Sequence, residues 1–431
     1  MMKFTAVGDA IIQRRIQDGF KGYEELTPFI MQGDARFFNL ETKLKREGEC
    51  YASQFSGGTY IRTNPEVLED LKKMGFNMTS FNNNHVLDFS YEGLLSTIDH
   101  VQKSGLVHAG VGMNLAQASA PRYLETANGR VALIAVNTSF KPSVIAGEQT
   151  DRVKGRPGIN GIRKEFKYTV SKEQLEFIKN LADELGINVE MDIYRKEGYY
   201  PPVPEDQAEL GDLRFSVGEQ TKRTIELNQT DIERVKKAIY EAKLQADYVF
   251  LSVHSHEIDG NSKEEVPEFL RKLAHDLIDM GADAIVGHGP HLLRPIEVYK
   301  EKPIFYSLGD FILQLYSIEF APNEFYVAQG LTPDKTIHEL LKKRSKNFTV
   351  GLMEDHKLMQ TVIPYWETEN CELKSLKLMP IELERGDCKK GDRGLPRKAT
   401  DLTFIQEFAK NCKEYGVDLI IEKDGTITCK W

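Results

Sequence analysis

Seven short apolar runs punctuate the chain, and most of them stop at a side chain that can do chemistry. The runs are Phe4–Val7, Arg36–Leu40, Asn77–Phe81, Val131–Val136, Tyr248–Val253, Ala284–Val286 and Ile304–Leu308. Short and nearly unbroken in their apolarity, they predict strands of a parallel sheet covered on both faces. Helical periodicity lies between them. Pro65 opens a predicted helix over Glu66–Met74. A second, Glu92–Ser104, carries the stripe Leu94, Leu95, Ile98, Val101 and is stopped by Gly105; a third, Val266–Met280, is stopped by Gly281. Strands alternating with helices predict an α/β fold.

In such a sheet the carboxyl ends of the strands share one edge, where sites form. Read in order, those ends carry Asp9, Glu41, Asn84-His85, His254 and His256, His288 and His291, and Asp310. Gly8-Asp9 alone is a turn signal, and an asparagine run alone is a helix cap. Six strand ends in series bearing Asp, Glu, Asn or His point instead to a metal site. Hard oxygens with imidazoles and no thiolate select Mn²⁺, Zn²⁺, Fe²⁺ or Mg²⁺, as one or two ions. Glu41 is the candidate bridge between two ions. His85, following Asn84, is the candidate acid for a leaving group. After the Val131–Val136 strand comes Lys154-Gly-Arg156-Pro-Gly-Ile-Asn160-Gly-Ile-Arg163, glycine-rich and basic. With Arg62 it forms a candidate loop for an anionic substrate.

The chain changes character over 165–245. Helical periodicity over Lys172–Leu185 and Asp231–Leu244 brackets a charged, proline-bearing stretch (Tyr200–Pro204), which predicts a helical insertion or lid. The tail, 351–431, predicts a small α+β extension. Strands are expected over Phe348–Met353, Leu358–Tyr365 and Glu372–Ile381, followed by a helix over Asp401–Lys413 and a hairpin turning at Asp424-Gly425. The catalytic domain is thus expected over 1–350, interrupted by 165–245.

Composition narrows the partners. A formal net charge of −9 argues against a nucleic-acid footprint. The five cysteines are scattered and form no C-x-x-C, which fits free thiols. No stretch approaches the roughly 20 apolar residues of a membrane helix, and the start lacks a signal-like pattern, so a cytoplasmic protein is expected. The expected partner is a small anionic or peptide-like substrate.

The motifs Gly8-Asp9, Asn39-Leu-Glu41, Asn83-Asn84-His85 with Leu87-Asp88, Gly155-Arg-Pro-Gly-Ile-Asn160, Ser252-Val-His254, Gly287-His-Gly-Pro-His291 with Pro295-Ile-Glu297, and Tyr306-Ser-Leu-Gly-Asp310-Phe together resemble the poly-γ-glutamate capsule-biosynthesis (CapA-type) family. That family is related to the metallophosphoesterases. The resemblance runs from residue 1 to about 312, with Gly394-Leu-Pro-Arg397 as an echo in the tail. It implies a four-layer α/β/β/α sandwich of metallophosphoesterase type. It also implies metal ligands Asp9, Glu41, Asn84, His254, His288 and His291, with His85 as the catalytic histidine. The implied activity is a metal-dependent hydrolase acting on γ-glutamyl amide bonds. The alternatives are a phosphomonoesterase or phosphodiesterase, or a non-catalytic capsule component. Ile11 stands where the phosphoesterases carry a histidine, and Glu41 where they carry a bridging Asp. The family's Ser-Leu-Gly-Asn-Phe is Ser-Leu-Gly-Asp310-Phe here, and its His-Trp-Gly is His254-Ser-His256. Asp310 and His256 are therefore candidates for added ligands or outer partners.

Overall fold

A computed structural model describes residues 1–46 and 48–431. Two compact units emerge: Met1–Gly161 with Glu233–Trp431, and Ile162–Ile232.

The first unit is built on two sheets. Along the larger, the strand order is Asp418–Ile421, Ile427–Lys430, Glu372–Leu383, Gln360–Glu369, Met2–Ile11, Ala35–Leu40, Met78–Ser80 and Val107–Ala109. The smaller runs Leu293–Tyr299, Lys302–Leu308, Ala284–His288, Tyr248–His254, Gly129–Asn137 and Arg122–Thr126. The apolar runs pair in parallel, as their unbroken hydrophobicity predicts. One apolar cluster draws on both sheets, with Phe4, Phe37 and Trp366 from the larger meeting Leu133, Phe250, Val286 and Phe305 from the smaller. Trp366 is wholly buried there, stacked on Phe4 at 5.1 Å and within 6.2 Å of Phe250 and 5.2 Å of Phe305. The outer face of the larger sheet is covered by the helices Lys21–Ile30, Val67–Lys73 and Ser90–Ser104, through Phe29, Leu71 and Ile98. The helix Glu268–Asp279 buries Leu270, Leu273 and Leu277 and packs on the smaller sheet.

The tail strands extend the larger sheet: Gln360–Glu369 lies antiparallel beside Met2–Ile11. Phe348–Met353, expected as a strand, is irregular. Lys346, Asn347 and Phe348 all take left-handed backbone (φ 48°, 63° and 58°), which no strand accommodates. The second unit is also not helical throughout. Its strands Lys164–Val170, Gln207–Leu210, Leu213–Val217 and Lys222–Leu227 form a four-stranded sheet, with the helices Lys172–Leu185 and Val189–Lys196. Charged residues on these strands blur the alternation that would betray them.

One crossing positions the site. Lys302–Leu308 belongs to the smaller sheet, whereas Asp310–Leu313 pairs with Met2–Ile11 in the larger. The chain changes sheets at Gly309, whose φ of +59° suits glycine. Gly8 lies against it so closely that a Cβ there would fall 1.9 Å from the Gly309 carbonyl oxygen.

Candidate metal centre

The strand ends of both sheets deliver their polar side chains to one buried cluster. Asp9 was expected just beyond its strand. Instead the strand runs on to Ile11, and its pairing with Ala35–Leu40 shifts register between Ala6 and Asp9. Such an irregularity re-aims a side chain. Asn39 donates to Asp9 Oδ1 at 2.7 Å and the Gly289 amide to Oδ2 at 2.9 Å, which fixes the carboxylate. Glu41 follows the second strand. It is fully buried, and neither of its oxygens has a hydrogen-bond partner among the described residues. Asp310 opens its own strand, with Oδ1 2.9 Å from His291 Nδ1 and Oδ2 buried with no hydrogen-bond partner among the described residues.

The histidines come from the smaller sheet. His254 Nδ1 lies 2.8 Å from His288 Nδ1, and its Nε2 lies 2.9 Å from His256 Nε2 and 3.0 Å from Asn84 Oδ1. Glu41 Oε1 is 3.8 Å from Nε2 of both His254 and His256, while Oε2 is 3.9 Å from His291 Nδ1. Ser252 contacts the far nitrogen of His288 at 2.7 Å. The His256 amide is held by Ser139 Oγ at 2.6 Å, which in turn donates to Glu257.

The electrostatics are those of a site that wants cations. Burial first, then mutual repulsion with Glu41 and Asp310, pushes the Asp9 carboxyl well above its usual range. Asp310 is pushed up by burial and by Glu41. Glu41 is pushed up by burial, against the pull of His291, His85 and Lys43. Burial and neighbouring imidazoles hold His254 and His256 well below the ordinary histidine value, and His288 at about 3. Neutral imidazoles and carboxylates with orphaned oxygens are the protonation states and vacant lone pairs that divalent ions take. Three groups of side chains place their donor atoms within 4.8 Å of one another: Asp9, His254 and His288; Glu41, His256 and His291; and Asp9, Glu41, His291 and Asp310. The donor set thus fits a divalent metal.

His85 faces this cluster from the side. Its Nε2 is 3.9 Å from Glu41 Oε1, and its Nδ1 is 2.7 Å from Asp88 Oδ2. Burial lowers its pKa, but Asp88 and Glu41 together outweigh that and the net shift is upward. Asp88 also accepts the Gly57 and Ile61 amides at 2.9 and 3.0 Å, locking a loop against the imidazole. Sequence reasoning placed Asp88 in a motif without a role; its spacing of three from His85 was the available signal. Lys43 was missed altogether. It is fully buried, its amine has no hydrogen-bond partner among the described residues, and burial pushes its pKa down to about 8 against Asp88 and Glu41.

The four expected substrate contacts fare differently. Arg62 is partly exposed and stacks over Phe320 at 4.8 Å. Arg156 is exposed and donates to the Ile145 carbonyl at 3.2 Å. Asn160 is fully buried: its amide donates to the Ala135 carbonyl, its side-chain oxygen accepts from Arg234, and its own carbonyl accepts from Asn82. It acts there as a brace between loop and strand. Arg163 belongs to the 162–232 unit, where its guanidinium grips Asp231 through two bonds of 2.8 and 2.9 Å.

Comparison with known proteins adds to this geometry. The family model described as bacterial capsule synthesis protein PGA_cap matches residues 3–315. An uncharacterized protein, y4sH, of Sinorhizobium fredii (strain NBRC 101917 / NGR234) is 33% identical over 97% of this chain and 91% of its own length. The capsule biosynthesis protein CapA of Bacillus anthracis is 22% identical over 72% of this chain and 59% of its own. A probable polyglutamine synthesis accessory protein of Mycobacterium tuberculosis (strain CDC 1551 / Oshkosh) is 24% identical over 65% and 55% respectively.

Proposed function

The chain belongs to the bacterial capsule synthesis protein PGA_cap family, and from that premise we propose that its buried centre holds divalent cations and hydrolyses γ-glutamyl amide bonds, in poly-γ-glutamate or a related peptide. The observation that carries the reading is Glu41, whose two buried oxygens have no hydrogen-bond partner among the described residues and face different imidazoles. Asp9, Glu41, Asn84, His254, His288 and His291 would hold the metal. The paired sheets with outer helices support a four-layer scaffold of metallophosphoesterase type.

Bound there, a divalent cation supplies Lewis-acid polarisation of a carbonyl and lowers the pKa of water. The chain's own residues do the rest. Asn39 and the Gly289 amide hold Asp9 in place. Asp88 accepts from His85 Nδ1, which leaves Nε2 facing the centre to carry a proton for the departing nitrogen. Arg62 and Arg156, both within reach of solvent, are the candidates to steer a polyanionic substrate.

The test is incubation of defined γ-glutamyl oligomers with protein supplied with Mn²⁺ or Zn²⁺, with fragments read by mass spectrometry beside a panel of phosphate esters. Cleavage of the oligomer, reduced about 100-fold or more in His85→Asn with metal content unchanged, is expected. Turnover of phosphate esters alone would refute the amide reading. Turnover of neither, with the oligomer still bound, would favour the non-catalytic role suggested by the accessory-protein relative.

A further inference from the structure

On the reading just given, the substrate is a chain of glutamyl residues, each with a free carboxylate, and one amide at a time occupies the buried centre. The rest of the chain needs a place on the protein. A recess at the far end of the strand that starts at Asp310 offers one. Gln314 follows that strand and is 1% exposed. Its Oε1 accepts the Gln13 and Arg14 amides at 2.9 and 3.2 Å. Two backbone donors require the oxygen there, which fixes the orientation of the carboxamide. Its Nε2 is buried with no hydrogen-bond partner among the described residues. A buried donor in that state is unfavourable until an acceptor meets it.

Gln314 lines a cavity of about 550 Å³. Another wall comes from the tail, through the Gly394-Leu-Pro-Arg397 segment. Gly394 takes left-handed backbone (φ +79°), and a Cβ on it would fall 1.9 Å from the Leu313 carbonyl oxygen. The Leu313 amide donates to the Gly394 carbonyl at 2.8 Å. This contact sets Lys390 and Arg393 on the same cavity as Gln314. Arg393 donates to the Gly386 carbonyl at 3.2 Å, yet its Nε is buried with no hydrogen-bond partner among the described residues. Arg14 joins them, since a Cβ at Gly391 would lie 3.9 Å from its guanidinium nitrogen. Two carboxylates also line the cavity: Glu354 accepts from the Tyr316 hydroxyl at 2.6 Å, and Glu319 is exposed. On a chain of net charge −9, a recess with Arg14, Lys390, Arg393 and two buried, unmet donors is built for an anion.

Its position suits a chain held at the centre. Four residues along an extended strand separate Asp310 from Gln314, roughly 13 Å. A second cavity, of about 480 Å³, shares Tyr316, Leu341, Met353 and Glu354 with the first and adds Arg344. Arg344 donates to the Thr59 hydroxyl and, at 3.4 Å, to the Gly58 carbonyl. The adjoining Gly57 lies against His85, where a Cβ would fall 2.8 Å from the ring. The two cavities together lead from the His85 side of the centre to Gln314.

We propose that the cavity between Gln314 and the 390–394 turn is a second, metal-free anion site, which grips a free carboxylate of the glutamyl chain remote from the bond held at the centre. Gln314 Nε2 and Arg393 Nε donate to that carboxylate, and Arg14 and Lys390 supply charge. The site makes the protein favour long chains over short ones.

The experiment uses the full chain supplied with Mn²⁺ and carrying His85→Asn to slow cleavage. It is titrated calorimetrically with γ-glutamylglutamate, with γ-glutamyl oligomers of increasing length and with inorganic phosphate. With its amide at the centre, the dipeptide extends one residue to either side and falls short of Gln314, so affinity should climb with length. Gln314→Glu keeps an acceptor for both amides and puts a negative oxygen where the donor was. It should weaken a long oligomer about tenfold or more and leave the dipeptide unchanged. Lys390 is exposed, so Lys390→Glu tests the same point with the fold intact. Affinity independent of length, or long-oligomer affinity unchanged in Lys390→Glu, would overturn the inference. So would phosphate binding that Lys390→Glu abolishes while the oligomer is unaffected. Length-dependent binding lost in Gln314→Glu, with no cleavage by the wild type, would support the inference and remove only the hydrolase. Cleavage with equal affinity for long and short chains would do the reverse.

Discussion

The sheet crossing offers the sharpest test of how fold and site are coupled. In Gly8→Ala the new methyl would sit 1.9 Å from the Gly309 oxygen, 2.9 Å from its carbonyl carbon and 3.0 Å from that of Leu308. All three are backbone atoms, so no rotamer change relieves the clash. An ordinary carbon–oxygen contact needs roughly 3.3 Å, so the two strands must part by more than 1 Å, an overpacking cost of about 1–3 kcal/mol. The Asp9 amide also donates to Gly309 oxygen at 2.9 Å. Losing that bond adds about 1 kcal/mol, for a total of roughly 2–4 kcal/mol. Gly309→Ala is the control. Its nearest neighbour lies at 3.3 Å, leaving chiefly the left-handed backbone, about 1 kcal/mol. Urea unfolding followed by tryptophan fluorescence should rank Gly8→Ala below Gly309→Ala, since Trp366 reports the core between the sheets. Because Asp9 and Asp310 are register partners across this contact, Gly8→Ala should also lose metal uptake. Wild-type stability and full metal binding in Gly8→Ala would refute the close approach and its link to the site.

Three further outcomes are expected. Saturating the stripped protein with Mn²⁺ and Zn²⁺ at about 100 times their dissociation constants should raise the unfolding free energy by about 2.7 kcal/mol per site, read as a shift in urea midpoint. Asp88→Ala should cost about 3 kcal/mol, because two amides and the His85 ring lose their acceptor and Lys43 its counter-charge; Asp88→Asn should cost less than half of that in the same assay. Burial and Arg122 hold His108 at about 4, below its unfolded value, so the unfolded chain binds the extra proton. Its share of stability is therefore complete above pH 6.5 and lost as pH falls towards 4, and His108→Phe should remove roughly 2 kcal/mol of that loss when metal-free unfolding is compared at pH 7 and pH 4.5.

Much of this architecture was legible because parallel strands buried on both faces are apolar without interruption, so their ends could be located and their terminal residues compared. The parts that were not legible depend on long-range contacts. Asp310 reads as the residue that stops a strand, because Gly-Asp is a turn signal; that it starts a strand in the opposite sheet depends on Gly309 crossing beside Gly8. Asn160 sits in a glycine-rich basic loop, and only the fold shows its polar groups engaged by Ala135, Arg234 and Asn82. The strands of the 162–232 unit carry charge on both faces, and periodicity cannot separate such strands from loop.

For the metal-binding centre proposed above, the crossing would make ion uptake and folding one event. Asp9, Glu41, Asn84 and Asp310 follow or lie on strands of the larger sheet, while His254, His288 and His291 come from the smaller. Neither sheet alone holds a complete donor set. On one side Asp9 is repelled by Glu41 and Asp310; on the other, burial keeps His254 and His288 from charging, so the pull of His291 on Glu41 offsets that repulsion only in part. Cations shared between the two sets would therefore clamp the sheets at the Asp9 end, while Trp366 and its aromatic neighbours hold them together at the Phe4 end.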